Sequence, residues 1–566
     1  MRNSIYTSAA VLFIVFLFIF LMSRNDVKTE QILSLKTVDI TAQTAPNFKI
    51  LYDNDLVNIA YGSGSWLKPN PDILTKEEIK KRIEKSVEEV SSYKNIAHFF
   101  RPGFGHIPFW KSDVYSAKKH YESWESKTGN TASSWGKYMM DDKNYGDLLK
   151  VFVDEAQKNN QSPFVSLLLN DIHHGYQNKI NELNISKEKW SEKSEWISNF
   201  IIENKSYLND STNFKSGLNW SNIEVRNLRL EFIKEICENY EIDGIELDFM
   251  RYPRFFTDNV PVTERIRIIS DFLTEVDSLL NDPELRPDNY PKNKKRFLVI
   301  RIPAQEKMFN ELGLDYSKFK KNGVDMVILS TYFFSMQQGI DFKFLRNSIP
   351  NLPIYYELHY ITLGYSIDSG LPYYGRIPAT EAQLYTTANL VYKNGFDGIS
   401  LYNFQYYKNT FNQNVPFSII DSLADKSWVS NFKPQWYFRS EGWRDEVLPE
   451  IFNSKKTVNY KLDTIFQENL KPQRGEFRLF FDSDIEGENW RVFINTKELS
   501  KVDCIFDPNQ KTFEQFTYFN SKFLCYDIQR NLIENGTNNI KLSYLPSEAN
   551  VEKKLIYYDL ILKEYF

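Results

Sequence analysis

The sequence has no excess of basic residues. Its 566 residues carry 69 Lys+Arg against 74 Asp+Glu, a net charge of −5, and the basic residues are dispersed rather than gathered into the footprint of a nucleic-acid binder. It has no glycine-rich phosphate loop of the kind a doubly wound nucleotide fold announces. Cysteine is confined to Cys237, Cys504 and Cys525. At most one internal disulfide is possible, with Cys504 and Cys525 as candidates, and no Cys-x-x-Cys pair suggests zinc. Internal repeats and low-complexity tracts are missing too. Aromatic residues, in contrast, are abundant at 16%, including 34 Tyr and 11 Trp. Such rings either fill a core or stack on the apolar faces of sugars.

One stretch organises the chain. In Asp243-Gly-Ile-Glu-Leu-Asp-Phe-Met-Arg-Tyr-Pro253, Ile245, Leu247 and Phe249 alternate with Glu246, Asp248 and Met250. Period two predicts a strand with an apolar face under helices and an acidic face turned inward. The preceding stretch, Val225 to Tyr240, has helical spacing. Similar helix and strand signals recur along the chain, and Thr75-Lys-Glu-Glu78 is a capping box. Strands are expected at Lys49–Tyr52, Ile96–Phe100, Phe164–Leu169, Asp243–Met250, Phe297–Ile302, Val324–Thr331, Pro353–Glu357 and Phe396–Leu401. Helices between them include Val262–Asn281, Leu314–Lys321, Asp341–Asn347 and Thr380–Asn394. The pattern predicts an α/β fold, a (β/α)8 TIM barrel over residues 48–425. From 426 to 566, short alternating runs such as Glu476–Phe481, Trp490–Asn495, Phe513–Phe519 and Ile540–Tyr544 predict a C-terminal β-sandwich.

At the other end, Arg2 precedes an unbroken apolar run from Ala9 to Met22. Residues 1–25 read as a signal peptide or an N-terminal membrane anchor and 26–47 as a linker, so export to a periplasmic or cell-surface location is expected.

Function in a barrel gathers at the C-terminal ends of the strands. Those ends here carry Asp53-Asn54-Asp55, Arg101, Asn170-Asp171-Ile172-His173-His174, Glu246, Asp248, Arg251, Arg301, Glu357, His359 and Tyr402-Asn403. His106, His173, His174 and His359, four of the six histidines, fall at or just beyond strand ends. Asp248 is the candidate acid/base and Glu357 the candidate nucleophile or second acid. Glu246 is either a third catalytic carboxyl or a structural acid paired with Arg301. Arg251 is placed to hold Asp248 ionised. Asn170, Asp171, His173, His174, Arg251, Arg301, His106, His359, Tyr402 and Trp110 are candidate substrate-binding residues, with Trp66, Trp124 and Trp135 as further stacking surfaces. Two facing carboxyls suit glycoside hydrolysis, with retention needing roughly 5–5.5 Å between them and inversion roughly 6.5–9.5 Å. A divalent ion on Asp171, His173, His174 and Asp248 is an alternative, and a glycan-binding scaffold without chemistry is another.

The central motif resembles the family-ten-like glycosyl hydrolase barrels. The resemblance spans about residues 48–425 and is carried by Ile50-Leu-Tyr-Asp-Asn-Asp55, Asn170-Asp-Ile-His-His174, Leu218-Asn-Trp-Ser-Asn-Ile-Glu-Val-Arg226, Cys237 to Pro253, and Phe396-Asp-Gly-Ile-Ser-Leu-Tyr-Asn403. It implies a (β/α)8 fold and action on glycans, with a carbohydrate as partner and no cofactor. Asp243, Gly244 and Asp248 are also similar to the chitinase-type Asp-Gly-x-Asp-x-Asp-x-Glu motif, but Glu246 replaces an Asp and Met250 stands where the general acid belongs. Met250 has no proton to donate, so any acid must come from elsewhere.

Overall fold

The structure, a computed structural model, describes residues 48–565 apart from 56–74, 105, 142, 144–145, 173–194, 211–215, 289, 332–334, 364–376, 408–413, 434, 441–446, 468–471, 484, 486–488, 505–522, 530 and 547–551. The apolar run at Ala9–Met22, Trp66, His173, His174 and the strand expected at Phe513–Phe519 lie outside the described residues. Among the described residues no helix is long and apolar enough to cross a membrane. Two compact units are distinguished. One comprises residues 1–44 and 291–295, of which only the short turn closed by Lys294 N donating to Pro291 O is described. The other, 45–290 with 296–566, contains everything that follows.

Eight strands close a parallel barrel: β1 (Ile50–Asp55), β2 (Ile96–Arg101), β3 (Ser162–Leu168), β4 (Gly244–Asp248), β5 (Phe297–Pro303), β6 (Met326–Ser330), β7 (Ile354–His359) and β8 (Gly398–Tyr402). Neighbours in space are neighbours in sequence, and β8 pairs with β1 through Ile50↔Ile399 to Asp53↔Tyr402. The stretches expected from alternation are these strands, shifted by a residue or two. The connecting helices include α1 (Lys76–Glu88), with the Thr75 capping box in place, α2 (Leu148–Lys158), α3 (Ile223–Asn239), α4 (Val262–Asn281), α5 (Lys307–Leu312), α6 (Phe342–Ser348) and α7 (Glu381–Lys393). The helix expected at Leu314–Lys321 is misplaced: α5 comes earlier and stops at Gly313, which adopts φ 72° and donates its N–H to Phe309 O. Asp315 then accepts from Ser317 N and closes a turn.

Alternation sorts the strand residues as expected. Ile245 and Leu247 of β4 point outward and pack in the barrel–helix core with Phe232, Ile233 and Ile236 of α3. The inward positions form floors. The lower floor is apolar: Leu51, Phe99, Phe164, Phe297, Val299, Met326, Ile328 and Tyr355. Large rings crossing the axis there leave no room for a side chain on Gly244, where a Cβ would lie 2.4 Å from both the Phe164 ring and Phe297 O. This is why glycine opens β4. One or two residues further along the same faces, the floor turns polar.

Residues from Gln435 onward build two antiparallel sheets. The larger orders β9 (Gln435–Ser440), β18 (Lys553–Tyr565), β12 (Pro472–Phe481), β16 (Phe523–Gln529) and β15 (Lys501–Val502), with β10 (Glu450–Phe452) also on β18. The smaller orders β11 (Lys456–Thr464), β17 (Gly536–Leu545), β13 (Asn489–Ile494) and β14 (Lys497–Glu498). Leu462, Phe477, Leu479, Ile540, Leu542 and Leu560 fill the core they share with the rest of this unit. The larger sheet rests on α7, whose residues from Ala382 to Tyr392 are all buried. That helix has almost no charged face, as suits a helix covered on both sides. Gln337 fastens the seam, donating to Thr387 Oγ1 (2.9 Å) and Trp436 O (3.1 Å) and accepting from Phe438 N. Cys504 and Cys525 form a disulfide, and Cys237 is buried and free.

Candidate active site

The polar floor lies at the C-terminal end of the barrel, and each strand supplies it through its inward face. Asp53 comes from β1, Arg101 from β2, Ser166 from β3, Glu246 and Asp248 from β4, Arg301 from β5, Ser330 from β6, Glu357 and His359 from β7, and Tyr402 from β8. All are buried. Parallel register puts Ser166 beside Glu246 and Asp248 beside Arg301.

Two guanidiniums divide the four carboxyls. Arg301 donates Nη1 to both oxygens of Asp248 (2.9 and 3.1 Å), Nε to Glu357 Oε2 (2.5 Å) and Nη2 to Glu357 Oε1 (2.7 Å) and Ser330 Oγ (3.0 Å). Arg101 Nη2 lies 2.6 Å from Asp53 Oδ2, 3.3 Å from Asp248 Oδ2 and 3.6 Å from Glu246 Oε1, and its Nε donates to Ser166 Oγ (2.9 Å). The Tyr402 ring lies against both cations, 4.6 Å from Arg101 and 4.3 Å from Arg301. Asn403, in the left-handed region at φ 56°, closes the β8–β1 seam above it by accepting from Asp55 N (2.9 Å).

The carboxyls differ sharply in environment. Glu357 accepts from Arg301, Ser330 Oγ (2.6 Å) and His359 Nε2 (2.7 Å). Burial alone would raise its pKa, but Arg301 and then His359 outweigh it and hold the carboxyl well below the usual range. Burial, opposed by Glu357, keeps the His359 imidazole below its ordinary value, so it donates as a neutral ring. Glu246 takes one hydrogen bond, from Ser166 Oγ to Oε1 (2.6 Å), while its Oε2 is buried with no hydrogen-bond partner among the described residues. Burial first, and then the Asp53 charge, push it well above the ordinary carboxyl range despite Arg101. Asp53 is likewise pushed up to about 7 by burial, against the pull of Arg101 and Arg301. Four acids facing two guanidiniums approach neutrality only if protons are held, and Glu246 and Asp53 are the two whose surroundings favour the protonated form.

Several expectations need correction. Arg301 does not pair with Glu246; it bridges Asp248 and Glu357, while Glu246 is held by Ser166 and Arg101. Asp248, expected as the acid/base, accepts from Arg301, Met250 N (2.7 Å) and Arg251 N (3.2 Å), and its Oδ2 lies 3.3 Å from Arg101 Nη2. Arg251 reaches Asp248 only through its backbone N–H, and its Nε lies 4.0 Å from Asp171. Asn170 is a structural clamp. Its Nδ2 donates to Arg254 O (2.7 Å) and Tyr252 O (3.3 Å), and its Oδ1 accepts from Leu218 N (2.7 Å). Asp171 is buried beside Arg251, and with His173 and His174 undescribed the four-ligand metal reading has only two described members. Trp110 and Trp135 are buried rather than presented for stacking, Trp110 donating to Glu235 Oε2 (2.7 Å) and Trp135 lying flat on Phe109. Trp124 packs half-buried against the same core. His106 stands off the floor, bonded through Nδ1 to Arg229 (2.5 Å). His359 and Tyr402 lie within it.

Ser166 and Ser330 were not among the candidate residues, and Asp53 and Arg101 were noted only as strand ends. The signal for all four is the same: each follows an apolar inward residue by two positions, Phe164, Ile328, Leu51 and Phe99 respectively.

No family model matches the sequence, and no curated protein matches it. Solved structures similar to it include an alpha-amylase from Geobacillus thermoleovorans complexed with acarbose, 12% identical over 88% of this chain and 99% of that one, TM-score 0.35. An alpha-amylase from Malbranchea cinnamomea is 11% identical over 89% and 97%, TM-score 0.35. An alpha-L-fucosidase from Paenibacillus thiaminolyticus is 10% identical over 70% and 51%, TM-score 0.35. Likeness at this level assigns no family, and the reading of the site rests on its own geometry.

Proposed function

We propose that the protein is a glycoside hydrolase acting on a poly- or oligosaccharide at the polar floor of the barrel. One observation carries the reading: Glu246 and Glu357 share an enclosed layer, yet their environments drive their protonation in opposite directions. Paired acids pushed apart in this way are what acid and base roles require. Glu246 gives its proton to the glycosidic oxygen as the C–O bond breaks. The Glu357 carboxylate attacks the anomeric carbon or takes a proton from the water that does. Glu246 Oε2, which has no hydrogen-bond partner among the described residues, is the oxygen that presents that proton. Arg301 and Arg101 stabilise the negative charge of the layer, and Asp248 aligns both.

The test counts reducing ends released from a panel of polysaccharides by the wild type, Glu246→Gln and Glu357→Gln. Release by the wild type that is lost in both variants supports the assignment. Unchanged release in Glu246→Gln refutes it.

A second reading, a glycan-binding barrel without hydrolysis, is favoured by the crowding of Glu357, both of whose oxygens are already taken by donors. Retention on a glycan column without reducing-end release would select it. We also propose export, supported by the Ala9–Met22 apolar run and by the Cys504–Cys525 disulfide, a bond that persists in oxidising compartments. Recovery of the protein only in the cytosolic fraction would rule that out.

A further inference from the structure

Beside the polar floor, a cavity of about 40 Å³ opens between the ends of β2 and β3 and helix α3. Arg101 and Ser166 form the wall shared with the floor; His106, Trp110, Phe232 and Arg229 form the far side. Arg229 projects from α3 and is 5% exposed. A guanidinium has five N–H donors, and this one makes a single side-chain hydrogen bond, Nη2 to His106 Nδ1. Its Nε is buried without a partner among the described residues. The acid that attracts it is Asp171, which makes no ion pair with it and sits 4.0 Å from Arg251. A buried cation without a paired anion costs several kcal/mol, a cost that an anionic ligand would offset with charge-assisted bonds. The remaining lining includes Pro102, Pro108, Trp110 and Phe232 and is apolar, so it adds no charge to compete for a carboxylate.

We propose that this cavity receives the carboxylate of an acidic sugar on Arg229, so that the glycan acted on at the neighbouring floor contains uronic acid residues. The word "acted on" rests on the glycoside hydrolase reading; the carboxylate site does not. Arg229 is then a binding residue, with His106 holding one edge of its guanidinium.

The test measures binding of glucuronate, galacturonate and their trisaccharides, each against its neutral counterpart, by isothermal titration. It uses the wild type, Arg229→Gln and Arg229→Lys, with folding checked by circular dichroism and thermal melting. Uronates should bind the wild type and neutral sugars should not. Arg229→Gln should weaken uronate binding at least tenfold, and Arg229→Lys should keep most of it. Equal uronate affinity in the wild type and Arg229→Gln overturns the proposal, as does a folded wild type that binds no uronate. Reducing-end release keeps the two readings apart. Hydrolysis of neutral glycans by a wild type that binds no uronate would leave the hydrolase standing and remove the acidic-sugar site. Arg229-dependent uronate binding without hydrolysis of any glycan would do the reverse.

Discussion

Replacing Glu246 and Glu357 by glutamine, one at a time, should change stability in opposite ways as pH varies. Glu246 is raised in the fold above its ordinary value of 4.5. Above that value the unfolded chain releases the proton while the folded protein keeps it, so the unfolded state binds fewer protons and wild-type stability falls with rising pH. The slope is at most about 1.4 kcal/mol per pH unit. Glutamine mimics the neutral acid and can still accept from Ser166, so Glu246→Gln should cost about 1 kcal/mol or less near pH 5. It should then gain steadily on the wild type as pH rises above the ordinary carboxyl range. Glu357 is held below 4.5 by Arg301 and His359, so its contribution is present above that value and is lost as pH falls through the folded pKa. Glu357→Gln leaves part of a buried guanidinium unpaired and should cost about 3–5 kcal/mol at neutral pH, with the penalty shrinking in acid. Asp53, pushed up to about 7, adds a falling slope of its own and interacts with both glutamates, so Asp53→Asn is the background in which the two differences are compared. Urea midpoints at a series of pH values read this directly. A pH-independent difference between Glu246→Gln and the wild type, or equal penalties for both variants at neutrality, would refute the assignment of a proton to Glu246.

The remaining expectations are simpler. Removing the disulfide by Cys504→Ser with Cys525→Ser, which opens a loop of sequence separation 21, should cost about 3 kcal/mol; a reductant should lower the wild-type melting temperature equally, and indifference to reduction would show the bond is not formed. Asn170→Asp sets a carboxylate oxygen against the carbonyls of Tyr252 and Arg254 and should cost about 2–4 kcal/mol, read as a lower urea midpoint; a neutral result would return Asn170 to the list of ligand contacts. If the proton on Asp53 is needed, glycan cleavage should fall as pH rises past about 7, and Asp53→Asn should abolish that alkaline limb. A limb unchanged in the variant assigns it to another group.

The barrel was legible because its signals are local. Alternation in Ile245 to Asp248 assigns faces without knowledge of any neighbour, and a capping box at Thr75 or a left-handed Gly313 acts within a few residues. The aromatic share was ambiguous for the complementary reason. A tryptophan that fills a core and one that stacks on a sugar have the same composition, and only packing shows that Trp110 and Trp135 are inside. The site falls between these cases. Its charged residues were visible as a rise in polarity at the strand ends, but the partners each would find were not. Partner choice depends on the stagger between strands, which sets Asp248 level with Arg301 and brings Glu357 of β7 within reach of the same guanidinium. Glu246, two residues earlier on β4, is thereby left to Ser166 and Arg101. Protonation follows from that pairing. Two carboxyls two residues apart on one strand become an acceptor fixed by arginines and an acid whose burial favours its protonated form, and the proposed proton donor moves from Asp248 to Glu246.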